Sequence, residues 1–346
     1  MKRICLKDIA QAAGVSAVTA SIALNGSGNS RNRVRVSPAR QEEIRRIAAS
    51  MGYRASAAGR ILKSKTLDDI GLLFFEEAHH IREHSGFTDL NIQFTKNCRR
   101  LGIRCQTDWF DPINHPDELP ELLTDGLVGG LLIAGNPRGA SERFLREQCT
   151  LPYIRIEEPG EYSVMFDQRP AMRQAMEYLA ATGHKRVGLI NGPEIFPKFL
   201  TVRDTFAALC EEFRFADWRS YYYENAPYYE NFAQNATLSE RRLLDRPDRP
   251  DALLVCSGML AFSVISLAQQ AGLRIPADLS VITFGTCDWE AEKFVPRLTA
   301  IEHNYNEIAE RAVDMLRELM KTGRVKESQI LVPEHFTIRD TVLKRT

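Results

Sequence analysis

Between Leu6 and Ala13, apolar residues recur at Leu6, Ile9, Ala10 and Ala13, the spacing of one face of a short helix. Gly14 breaks the pattern and suits a tight turn. Ser16 follows as a helix N-cap, its hydroxyl placed to accept from a free backbone N–H of the next turn. The pattern predicts a second helix from about Ala17 to Leu24, stopped by Asn25-Gly26. A third begins at Ser37-Pro38, runs to about Met51 with Ile44, Ile47, Ala48 and Met51 on one face, and ends at Gly52. Two short helices joined by a glycine turn make a helix-turn-helix, whose second helix enters a DNA major groove with its N-terminal residues leading.

From Asp69 onward the pattern alternates. Strands are predicted at 69–75, 103–110, 128–134, 153–156, 185–190, 253–256 and 280–284, and helices at 87–101, 116–124, 141–148, 171–182, 199–213 and 260–271. Such alternation builds parallel sheets covered by helices. Two such lobes place a ligand between them, at the carboxyl ends of the strands.

Charge sharpens the division. Residues 1–65 hold 13 Lys and Arg against 3 acids, while the whole chain of 346 residues has formal net charge +0. A basic head on an acidic body points to a polyanion partner for the head, although a solvated basic face has the same composition. No apolar run reaches the roughly 18–20 residues of a membrane span. The basic start Met1–Asp8 has neither a long apolar stretch nor a cleavage site, so no secretory signal is expected. The seven cysteines are scattered and form no C-x-x-C pair, as expected for reduced thiols in the cytoplasm. His79, His80 and His84 sit close in sequence, but no Cys or Asp neighbour completes a ligand set, so neither metal nor cofactor is expected.

The segment from Leu6 to Asn25 resembles the headpiece of the lac repressor/gal repressor family. Asp8, Ile9, Ala10, Ala13, Gly14, Val15, Ser16, Thr19, Ser21, Leu24 and Asn25 match its D-[VI]-A-x-x-A-G-V-S-x-x-T-V-S-x-x-L-N pattern without a gap. The resemblance implies that Ser16, Thr19, Ser21 and Asn25 contact phosphates or set the docking. Ala17, Val18 and Ile22 stand where bases are read. All three are apolar, and Ile22 replaces an arginine usual in the family. An isoleucine can touch a thymine methyl but cannot fork onto guanine; its other reading is a core residue. The stretch Ser27–Arg35 is longer than the family's loop. Its Arg31, Arg33 and Arg35 read either as an arm making phosphate or minor-groove contacts or as a plain surface loop.

Residues 54–67 resemble the family's hinge helix, with Leu62 at the position that wedges into the minor groove and kinks the duplex. Ala55 replaces a proline and Gly59 an alanine, so an isolated helix here is marginal and its folding would be coupled to binding. A simple tether is the alternative.

The body is similar to the family's periplasmic-binding-protein-like domain at Ala180–Gly192, Pro250–Val255, Ile275–Val281, Pro296–Thr299 and Ile338–Thr341. The implied fold is an all-α helix-turn-helix headpiece (1–53) and a hinge (54–67), followed by a two-lobed α/β domain (68–346). One lobe covers about 68–163 and 294–326, the other 164–293 and 327–346. By resemblance, Asp167, Arg203, Ser257, Phe284 and Asp288 fall at effector positions. Trp218, with Tyr221, Tyr222, Tyr223, Tyr228 and Tyr229 nearby, offers a face for stacking or, alternatively, a piece of core. The family's Asn-Asp pair is Ser257-Gly258 here and its GFDD segment is Thr283–Thr286. The carboxylates that would clamp a sugar are missing, so a typical neutral monosaccharide is not the expected ligand.

The expectation is a cytoplasmic transcription regulator, acting as a homodimer on a double-stranded, pseudo-palindromic DNA operator and modulated by a small-molecule effector. The closing residues carry no heptad tail, which favours a dimer over a tail-bundled tetramer. The competing readings are an α/β enzyme with a basic appendage and a solute-binding protein. No P-loop, G-x-S-x-G, H-E-x-x-H or dinucleotide fingerprint supports the first, and the basic head opposes both.

Overall fold

The computed structural model describes residues 5–25, 36–51, 68–75, 85–194, 196–224 and 241–345. The chain divides into two compact units, Met1–Leu67 and Asp68–Thr346.

In the first unit, helices α1 (Leu6–Ala12), α2 (Ala17–Asn25) and α3 (Pro38–Ser50) pack around Ile9, Ala13, Ala23, Ile44 and Ala48. The turn between α1 and α2 needs a positive φ at Gly14 (+63°), where a side chain would be strained. Ser37 caps α3, accepting from the Arg40 N–H at 3.4 Å, with Pro38 in the first turn. Arg40 then ties α3 to the turn by donating to the Ala13 carbonyl at 2.8 Å. With so few apolar residues, each one matters: cutting Ile44, fully buried, to Ala would cost about 2–5 kcal/mol.

The second unit contains two sheets. The first has strand order β2-β1-β3-β4-β5-β11, from β1 (Ile70–Phe75), β2 (Cys105–Phe110), β3 (Gly130–Ala134), β4 (Tyr153–Ile156), β5 (Ser163–Asp167) and β11 (Gln329–Pro333), every pair parallel. The second has the order β7-β6-β8-β9-β10-β12, from β6 (Val187–Asn191), β7 (Tyr222–Glu224), β8 (Ala252–Cys256), β9 (Ser280–Thr286), β10 (Thr299–Glu302) and β12 (His335–Thr337). Here only β12 runs antiparallel, on β10. Every residue of β1, β3 and β8 is buried, as a sheet covered on both faces requires, whereas edge strand β2 is only partly buried.

The covering helices include α4 (Ser85–Arg100), α6 (Gly139–Glu147), α7 (Arg169–Ala181), α8 (Pro197–Glu212), α9 (Gly258–Gln270) and α11 (Tyr305–Thr322); α5 (Glu121–Thr124) and α10 (Asp288–Ala291) are single turns. The helix expected over 116–124 shrinks to α5. Pro120 sits just ahead of it, and inside a helix its ring would clash with the preceding turn and supply no N–H.

The chain crosses between the sheets three times, each time later than the expected 163, 293 and 327. The crossings fall at Gln168, at His303-Asn304 and at Glu334, because β5 and β11 complete the first sheet while β10 belongs to the second. A strand stays with the sheet that satisfies its backbone, and that pairing is long-range.

Candidate functional site

On the head, the start of α2 presents a small exposed face. Ser16 caps the helix, accepting from the Thr19 N–H at 3.1 Å, and its hydroxyl lies 2.9 Å from that of Thr19. Ser16 and Ala17 are exposed and Val18 is 51% exposed. The first-turn backbone N–H groups that Ser16 does not take, with two short hydroxyls, suit a phosphate, while the Val18 methyls suit an apolar base edge.

Ile22 is corrected. It is 7% exposed, one helical turn past Val18, and so is not displayed for base reading as Val18 is. Ser21 is buried too, at 5%. Asn25 is the last residue of α2. Arg31, Arg33, Arg35 and Leu62, like His79, His80, His84, Tyr228 and Tyr229, lie outside the described residues.

In the second unit the three crossings converge between the carboxyl ends of the two sheets, the position at which a two-lobed α/β fold holds its crevice. The Glu334 N–H donates to the Asp167 carbonyl at 3.2 Å. His303 pairs through Nδ1 with Glu334 Oε1. Its ring stacks on Phe166 at 4.1 Å and 12°, and meets Tyr305 edge-on at 5.2 Å.

Glu157 follows β4 at the crevice. Its Oε1 accepts from the Phe166 N–H at 2.5 Å. Burial pushes its carboxyl above the usual range, against the opposing pull of Lys198 and His303. Glu157 (φ +63°) from the first lobe and Ser257 (φ +73°) from the second both hold left-handed backbone, a strained state for a residue with a side chain. Such strain concentrates at ligand sites.

The expected effector residues divide. Ser257 stands at the crevice, capping α9 and donating its N–H to the Phe284 carbonyl at 2.7 Å. Asp167 is at the first crossing but is held by Arg169 (2.7 Å), whose hydrogen bonds pull its carboxyl below the ordinary range. Arg203 is committed to Glu194 (2.5 Å) and Asp204 (2.7 Å). Three assignments are corrected. The Phe284 side chain is 4% exposed and belongs to the core. Asp288 is paired with Arg339 at 2.7 Å in a cluster with Glu292 and Glu302. Trp218 packs edge-on against Phe206 and Tyr222 in the 3-10 turn that leads into β7, at the end of the sheet away from the crevice.

Sequence reasoning missed Glu157, Lys198, His303 and Glu334. Only Glu157 left a signal, as a carboxylate directly after an apolar strand.

Among the described residues, no group of three or more His, Cys, Asp or Glu is placed to hold a metal ion, and no helix is long and apolar enough to cross a membrane. All seven cysteines are free thiols.

Comparison with known proteins places these features together. Residues 5–56 match the model described as bacterial regulatory proteins, lacI family, and residues 176–342 match the periplasmic binding protein-like domain. The chain is 27% identical over 357 residues to the HTH-type transcriptional repressor PurR of Haemophilus influenzae, covering 97% of this chain and 98% of that protein. It is 22% identical over 347 residues to the probable HTH-type transcriptional repressor ExuR of Bacillus subtilis, covering 99% of each. In fold it is similar to the lac repressor dimer bound to operator and the anti-inducer ONPF, with a TM-score of 0.79 and 20% identity over 99% of this chain and 100% of that one. It also resembles the transcriptional regulator CelR in its cellobiose complex, with a TM-score of 0.68 and 19% identity over 98% of this chain and 100% of that one.

Proposed function

Because the chain belongs to the lacI family of bacterial regulatory proteins, we propose that it represses transcription by binding a pseudo-palindromic operator as a homodimer, under the control of a small molecule in the crevice. The observation that carries this reading is the exposed Ser16-Ala17-Val18 face at the start of α2, within the segment matched by the family model. Ser16 and Thr19 position the helix on phosphates, and Ala17 and Val18 read apolar base edges such as the thymine methyl. The operator is therefore poor in hydrogen-bonded guanine contacts. Arg31, Arg33 and Arg35 add backbone contacts, and Leu62 wedges into the minor groove at the centre of the site.

Self-association is supported by an exposed apolar patch in the second unit. Met259 (48% exposed), Phe262 (59%) and Val295 (86%) lie near one another around Phe294, whose ring is 6.4 Å from that of Phe262. A two-fold dimer buries such a patch against its own copy, and two heads then meet two half-sites. A ligand in the crevice changes how the lobes close and so alters the order of the hinge, a coupling of about 1–3 kcal/mol. The ligand is not a typical neutral monosaccharide, since the carboxylates expected to clamp its hydroxyls are replaced at Ser257-Gly258 and Gly285-Thr286.

Footprinting of the purified protein on fragments of its own genome tests this reading. The expected result is two protected half-sites about one helical turn, roughly 10 base pairs, apart. Uniform, sequence-independent protection that vanishes with moderate salt would refute it.

A further inference from the structure

At the base of the crevice, Glu334 is 6% exposed; one carboxylate oxygen is taken by His303, and Oε2 has no hydrogen-bond partner. A buried oxygen of a carboxylate is rarely left unsatisfied, because it has given up water for nothing. Glu334 is joined to Glu157 through two residues: its partner His303 stacks on the Phe166 ring, and the Phe166 N–H donates to Glu157. Glu157 and Tyr305 are both partly buried.

The cations nearby are already answered. Arg169 is held by Asp167, and Arg203 by Glu194 and Asp204. Lys198, from the second lobe, lies near enough to Glu157 to favour its ionised form. An anionic ligand would meet two carboxylates and no uncommitted guanidinium among these residues. A donor-bearing cation would meet an orphan acceptor, a second carboxylate, and the stacked rings of Phe166 and His303 with the edge of Tyr305.

We propose that the crevice takes a small molecule bearing a protonated amine, received by Glu334 and Glu157 over the Phe166–His303 stack, and that it rejects ligands whose only charge is negative. This inference rests on the reading of the crevice as the effector site. Glu334, Glu157 and His303 thereby become its binding residues in place of Phe284, Asp288 and Trp218.

The test uses the full chain and three probes on one ring: glucosamine, glucose and glucuronate, titrated calorimetrically at pH 7, where the first is a cation and the last an anion. The expected result is glucosamine binding at least about tenfold tighter than either other sugar. Glu334→Gln and, independently, Glu157→Gln should each remove most of that preference. Thermal melts of both variants establish that they fold, and if one does not, the other decides. Glucuronate binding as well as glucosamine, no detectable glucosamine binding at millimolar concentration, or a preference that survives both substitutions would overturn the proposal. Operator binding by the unsubstituted protein is measured in parallel. Loss of DNA binding with the amine preference intact would count against the proposed function and not against this inference.

Discussion

Trp289 Nε1 donates to Asp89 Oδ2 at 3.0 Å, and this bond joins the two lobes: Trp289 lies in α10, after β9 of the second sheet, and Asp89 in α4, which covers the first. The Lys293 ammonium lies 4.3 Å from the centre of the Trp289 indole. Asp89 also lies close enough to Tyr305 to influence it electrostatically, so the contact joins the lobes beside the second crossing.

Trp289→Phe keeps a ring at that position and removes the donor. The expected loss is about 1 kcal/mol of lobe–lobe attraction, because the bond is partly exposed although its acceptor is charged. Hydrogen exchange reads it: amides in the first turns of α4 and α10 should exchange about fivefold faster than in the unsubstituted protein. Unchanged exchange in both helices would mean that Trp289 does not hold the lobes together.

Ile22 gives a prediction that separates a core residue from a base reader. Because it is buried, Ile22→Arg would force a charge into the head or push α2 out of place, at an expected cost of about 3 kcal/mol. Head unfolding followed by circular dichroism should show this, with operator affinity falling in step. An arginine variant of unchanged stability that acquires guanine preference would show that the position faces the groove.

How far the sequence reaches is visible in these residues. The helices of the head were legible because Ser16, Ser37-Pro38 and Gly14 are local signals, and each does in the structure what its chemistry requires. The alternating body was legible for the same reason. The lobe crossings were not, because membership of β5, β10 and β11 depends on which distant strand each one meets. The effector positions were only partly legible, for another reason. Asp167 and Asp288 stand where a ligand group was expected, but their charges are met by Arg169 and Arg339, and those pairings appear only in three dimensions. Glu334 and His303, far from Glu157 in sequence, are united only by the convergence of the crossings.

His184 predicts a pH dependence. It is 1% exposed, with Nε2 2.8 Å from the Ser280 hydroxyl and Nδ1 near the Thr182 hydroxyl and the Leu179 carbonyl. Burial lowers its pKa below the usual histidine value. The unfolded chain, with a pKa of about 6.5, takes up the proton first. Its neutral form is therefore accommodated without loss above about pH 6.5, and stability falls as the pH drops below that value. Urea melts from pH 7.5 to pH 5 should show this as a slope of at most about 1.4 kcal/mol per pH unit, reduced in His184→Gln. Equal slopes for the two proteins would contradict it.

The claim on which the rest depends is that the head reads sequence as one half of a two-fold pair. Selection of the purified full-length protein against a random double-stranded DNA library, at near-physiological salt, tests it most directly. The predicted result is enrichment of a pseudo-palindrome with thymine at the positions under Val18, lost when Leu62 is replaced by Ala. Recovery of no common sequence, both alone and with the small-molecule fraction of a cell extract added, would contradict the account.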